Sequence, residues 1–220
     1  MIKAAIFDMD GTLINSLIFW NYLWEQMGIT FLADPNFRPD ATTDRECRTL
    51  TLAQAMALVH ERYGLGESAE ALTDYTTDLL ETFYREVVEC KPGAIEFLQY
   101  LKGKGVKMAV ATASDGGLVQ LAMERCGLAP YLDMVVSCAT VGKGKDQPDV
   151  FLLTLEKMGT TAEETWMFED SYVALQTAKR IGMPTVGIFD ANNYGQDILK
   201  ANSDHYIAEG EMLTRLIGIL

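Results

Sequence analysis

An apolar run near the start of the chain, Ile2 to Phe7, ends in Asp8-Met9-Asp10-Gly11. Two carboxylates this close repel each other and resist ionising together. Beside a core strand they require compensation, and a bound cation is its simplest form. The plainer alternative is a turn or the cap of a following helix, for which Asp and Gly are common choices. Three later apolar runs end in polar groups too. Val106 to Ala113 closes in Thr112-Ala113-Ser114-Asp115. Met134 to Cys138 leads to VGKGKDQPD, which carries Lys143 and Lys145, and Thr165 to Glu169 passes into Asp170 and Ser171.

These ends are chemically complementary. Asp8, Asp10, Glu169 and Asp170 offer hard oxygen ligands of the kind magnesium prefers. Thr112, with the amides of a tight Ala113-Ser114 turn entering a helix, suits a phosphate. A lysine supplies the cation that a phosphate needs. Taken singly, each has a plainer reading: Thr112 and Ser114 as an N-cap, Lys143 and Lys145 as solvated loop charges, Glu169 to Ser171 as a helix start. Their joint occurrence, each at a strand end, argues for a site. His60 falls in a helical block and His205 near the end, and no Ser-His-Asp or Cys-His arrangement is visible. The remaining nucleophile candidate is a carboxylate.

The elements that must position these groups follow from periodicity. Helical spacing is expected from Leu17 to Met27, Leu50 to Tyr63 and Thr73 to Val88, with a turn-rich stretch from Ala33 to Thr43. From Pro92 onward strands and helices alternate. Helices are expected over Ala94–Gly103, Gly117–Cys126, Val150–Met158 and Tyr172–Ile181. Strands are expected over Val106–Ala113, Met134–Cys138, Thr165–Glu169 and Thr185–Phe189. An edge strand at His205–Ile207 and a terminal helix complete the pattern. Alternation of this kind means βαβ units and a parallel sheet, and burial on both faces explains the continuous apolar strands. The expected fold is α/β, a Rossmann-like three-layer core of residues 1–15 and 86–220, with an α-helical domain inserted at 16–85. Ligands of such sheets bind at the carboxyl ends of the strands.

Composition narrows the partners. The chain has 220 residues, 49% of them hydrophobic, enough for a sizeable core. Lys and Arg number 18 against 31 Asp and Glu, a net charge of -13. That charge repels nucleic acid and anionic membranes, so an anionic substrate needs local positive charge in its site. Cys47, Cys90, Cys126 and Cys138 are widely spaced with no CxxC pair, which fits reduced thiols. With no signal-like leader and no apolar run long enough to span a bilayer, the expected location is cytoplasmic. A monomer or weak dimer is expected.

The segments DMDGTL (8 to 13), VATAS ending at Ser114, KDQPD from Lys145 and FEDS from Phe168 resemble the four motifs of the haloacid dehalogenase superfamily. The insert between the first two resembles the C1 cap of the phosphoglycolate phosphatase and β-phosphoglucomutase group. The resemblance implies that Asp8 is a nucleophile forming an aspartyl-phosphate and that Asp10 is the general acid, then base. It implies that Thr112 and the following amides of Ala113 and Ser114 hold the phosphoryl group. Lys145, by its KxxPD spacing rather than Lys143, would pair with nucleophile and phosphate. Asp170, Asp8, the Asp10 carbonyl and Glu169 would hold or orient magnesium. The implied activity is magnesium-dependent hydrolysis of a small phosphorylated metabolite.

Two alternatives remain open: a sugar-phosphate mutase of the β-phosphoglucomutase kind, and a non-catalytic binding or regulatory protein. Trp20 stands where the mutase group has a gating histidine, which favours a phosphatase. Asn15 and Ala174 depart from the family's frequent Asp and Gly without evident consequence. Arg45 and Arg48, in the connecting segment TTDRECRTL, are candidates for gripping the leaving group or are solvated loop charges. Trp20 and Trp24 are candidates for helical packing or for a substrate-facing wall.

Overall fold

A computed structural model describes residues 2–48 and 50–220. Among these, a six-stranded parallel sheet has the order β3-β2-β1-β4-β5-β6. Its strands are β1 (Ala4–Phe7), β2 (Lys107–Thr112), β3 (Met134–Ser137), β4 (Thr165–Glu169), β5 (Thr185–Ile188) and β6 (His205–Ile207). Every residue of β1 is buried, as a central parallel strand covered on both faces requires. Alternate side chains serve opposite faces. Ala4 and Ile6 join a core with α8 (Asp149–Met158) and α9 (Tyr172–Arg180) through Val150, Phe151, Leu155, Ala174 and Ala178. Phe7 stacks on Phe168 at 4.4 Å and meets Phe97 of α5 (Ala94–Gly103) edge-on at 6.5 Å, forming the opposite layer. The result is the expected Rossmann-like α/β sandwich.

The chain divides into two compact units. One joins the chain up to Leu17 to Val88–Leu220; the other is Ile18–Val87. The second unit contains α1 (Phe19–Met27), α2 (Ala41–Cys47), α3 (Leu52–Tyr63) and α4 (Ala69–Thr82). Met56 of α3 and Thr76 of α4 are both buried and touch, Thr76 Oγ1 lying 3.0 Å from Met56 Sδ. Phe19 packs edge-on against Phe83 at 5.4 Å.

Several local expectations are corrected. The segment read as a connection holds α2, because Asp40 caps it by accepting from Thr42 N and Thr43 N at 3.0 and 3.1 Å. α4 begins at Ala69, four residues earlier than its apolar spacing suggested, since Ser68 accepts from Ala71 N. The expected terminal helix is a single 3-10 turn, Leu213–Leu216, in a stretch interrupted by Gly210 and Gly218. Two short helices went unforeseen: α7 (Cys138–Val141), and α10 (Gln196–Asn202) before β6. A further helix, α6 (Gly116–Arg125), follows β2. No helix among the described residues is long and apolar enough to cross a membrane.

Candidate active site

The sheet's register assembles the site. Phe7 of β1 lies opposite Val110 of β2 and Phe168 of β4, so the residues that follow those partners converge. This is also where strand order reverses direction, the place in an open parallel sheet where ligands bind. Asp8, next after β1, keeps the ladder going by donating its N–H to Phe168 O at 2.9 Å. Its carboxylate, with those of Glu169 and Asp170, forms a buried group whose oxygens lie within 4.8 Å of one another.

Lys145 ties this group together. Its ammonium donates to Asp8 Oδ1, and to Glu169 Oε2 at 3.1 Å. Burial pushes the Asp8 carboxyl up to about 8, with the charges of Glu169 and Asp10 adding and Lys145 opposing. Burial, then Glu169 and Asp8, hold Asp170 well above the usual carboxylate range. For Lys145, burial acts downward, but Asp8 and Glu169 outweigh it and raise the ammonium. Three buried acids therefore face one ammonium, and the uncompensated negative charge suits a hard cation.

Asp10 is held differently. Ser16 Oγ donates to its Oδ1 at 2.7 Å and Ser114 Oγ to its Oδ2 at 2.6 Å. Its side chain is outside the three-carboxylate group. Thr112 is buried and its Oγ1 accepts the Ser114 amide at 3.0 Å. The plain N-cap reading of Thr112 and Ser114 fails, because Asp115 caps α6 through Gly117 N at 2.7 Å. Ala113, exposed, follows Thr112 in the same turn. Gly11 closes the loop with φ +78°, and a Cβ there would strike the Asp170 carboxylate. The two lysines separate cleanly: Lys143 pairs with Asp149 at 2.7 Å on the surface, while Lys145 is largely enclosed and pairs with the acids.

Arg45 and Arg48 belong to the other unit. Arg45 is exposed on α2. Arg48 is not a solvated loop charge: it grips Asp44 through Nε at 2.8 Å and Nη2 at 3.1 Å, and lies 5.8 Å from the Trp20 ring centre. Trp24 is buried and donates Nε1–H to Asp44 Oδ1 at 2.6 Å, a packing role. Residues missed from the sequence are Ser16, Thr12 and Asn193. Thr12 Oγ1 donates to Asp170 Oδ1 at 3.3 Å, and Asn193 Nδ2 to Asp170 Oδ2 at 2.7 Å. Asn193 follows β5, and inspecting that strand end as the others were inspected would have reached it.

Fold and site define a parallel α/β protein with an acid cluster and a lysine at its switch point. The family profile described as Haloacid dehalogenase-like hydrolase matches residues 5–188, and the chain belongs to that family. Its curated relatives include a "Phosphorylated carbohydrates phosphatase" of Thermotoga maritima, 27% identical over 99% of this chain and 100% of that one. A "Phosphoglycolate phosphatase" of Rhodospirillum rubrum is 31% identical over 84% of this chain and 79% of its own length. A solved structure from Thermotoga maritima, described as a "putative beta-phosphoglucomutase", superposes with a TM-score of 0.85 at 24% identity and full coverage of both chains. That likeness bears on the fold.

Proposed function

We propose that this protein is a magnesium-dependent phosphatase acting on a small phosphomonoester. The observation that carries the reading is Lys145 reaching both Asp8 and Glu169 beside Asp170. The names of the curated phosphatase relatives support the same reaction class.

Asp8 is the nucleophile. A carboxylate oxygen attacks phosphorus, the P–O bond to the leaving group breaks, and Asp10 gives its proton to the departing oxygen. Asp10 then takes a proton from water, whose oxygen attacks the aspartyl-phosphate, releasing phosphate and restoring Asp8. Ser16 and Ser114 orient Asp10 for both transfers. Lys145 and Thr112, with the turn amides of Ala113 and Ser114, hold the phosphoryl oxygens. Asp8, Glu169, Asp170 and the Asp10 carbonyl would hold magnesium, which supplies positive charge against the carboxylates and the phosphoryl group. Residues 18–87 act as the cap that selects the leaving group.

Turnover of p-nitrophenyl phosphate with magnesium tests this. Activity should vanish with EDTA and in Asp8→Asn. Activity surviving either would defeat the mechanism. Phosphatase is preferred over mutase because Trp20 offers no proton-relaying group. Glucose 6-phosphate formed from β-glucose 1-phosphate faster than inorganic phosphate would reverse that preference.

A further inference from the structure

We propose that Asn193 is a positioning residue for Asp170, presented by a loop that Lys91 and Asp190 anchor. This rests on the reading of Asp170 as a cation ligand. The loop runs from the end of β5 to α10, beyond the stretch that matches the family profile.

The amide of Asn193 has one orientation consistent with its neighbours. Its Oδ1 accepts the Tyr194 N–H at 2.8 Å, which leaves Nδ2 to donate to Asp170 Oδ2 at 2.7 Å. A flipped amide would set donor against donor and acceptor against carboxylate. With Thr12 on Oδ1, both oxygens of Asp170 are held by neutral donors. A neutral donor fixes a carboxylate's direction without bringing a positive charge that would compete with a cation. Outer partners of this kind orient ligands and tune affinity.

The loop is built to keep Asn193 in place. Lys91 Nζ donates to Asp190 Oδ2 at 2.5 Å, and Asp190 Oδ1 accepts Asn192 N at 2.8 Å. Asp190 O in turn accepts Asn193 N at 3.2 Å. Gln196 bridges the loop, its Oε1 accepting Asp190 N and its Nε2 donating to Asp170 O, both at 3.4 Å. At Gly195 φ is +70° and a Cβ would sit 2.5 Å from the Tyr172 ring, so only glycine lets the loop fold against α9.

Isothermal titration of magnesium into metal-free wild type, Asn193→Ala and Asn193→Leu tests the assignment; the leucine keeps the volume without the donor. Both variants should bind magnesium about ten- to a hundredfold more weakly. The magnesium concentration for half-maximal phosphatase activity should rise in parallel, with kcat largely recovered at saturation. Unchanged magnesium affinity in either folded variant, even with a lowered melting temperature, would reduce Asn193 to a loop tie and overturn the proposal. Wild type that binds no magnesium would instead overturn the proposed function beneath it.

Discussion

Ser114 donates its hydroxyl to Asp10 Oδ2 at 2.6 Å, joining the turn after β2 to the loop after β1 across 104 residues of chain. With Ser16 on the other oxygen, Asp10 is aimed from two sides. Ser114→Ala should lower kcat roughly tenfold with a smaller change in KM, the cost of one charge-assisted hydrogen bond to the proposed acid-base group. Steady-state kinetics check this. A rise in KM alone would make Ser114 a substrate contact instead.

Asp8 predicts a pH dependence of stability in the metal-free protein. Its carboxyl is pushed from 3.8 up to about 8 on folding, by burial first. A group raised on folding binds its proton more tightly in the native state. Its stabilising contribution is therefore complete below about pH 4 and lost as pH rises through about 8. In EDTA, the melting temperature of wild type should fall relative to Asp8→Asn between about pH 5 and about pH 9. Magnesium should narrow the gap. Parallel curves would show that Asp8 is not strained by its surroundings.

Gly11→Ala should damage both fold and site. The position needs φ +78°, and the added carbon would lie 2.7 Å from Asp170 Cγ. The backbone alone costs about 1–2 kcal/mol. Asp170 must also shift, so magnesium affinity should drop with stability. Thermal melts and calorimetry on the variant separate the two losses.

Lys91→Met should cost about 3–5 kcal/mol, because Asp190, almost wholly buried, would lose its cation. Chemical denaturation measures it. A loss under about 1 kcal/mol would place the pair among solvated surface bridges.

The two arginines of the helical unit should part company. Arg48→Ala removes a bidentate bond to Asp44 and the cover over Trp20, and should destabilise the protein by about 1–2 kcal/mol. Arg45→Ala, at an exposed position, should leave stability within about 0.5 kcal/mol. If Arg45 grips the leaving group, kcat/KM should fall about ten- to a hundredfold on the physiological substrate and little on p-nitrophenyl phosphate. Equal small effects on both substrates would leave it a surface charge.

Sequence by itself determined the sheet and the chemical identity of its strand ends. Parallel strands buried on both faces must be apolar throughout, so β1, β2, β4 and β5 stand out as runs, and polar residues at their ends are conspicuous. The resemblance of KDQPD to the family's KxxPD motif also favoured Lys145 over Lys143, a choice that the residue types alone left open. Helix starts were less legible: apolar spacing masked α2 and the first turn of α4, whose starts depend on the Asp40 and Ser68 side chains. Only tertiary structure decided which partner each site residue takes. The bonds Ser114 to Asp10, Thr12 to Asp170 and Asn193 to Asp170 span 104, 158 and 23 residues. Chain spacing carries no information at that range. Strand register sets which residues meet, and rotamers set by packing decide which atoms touch.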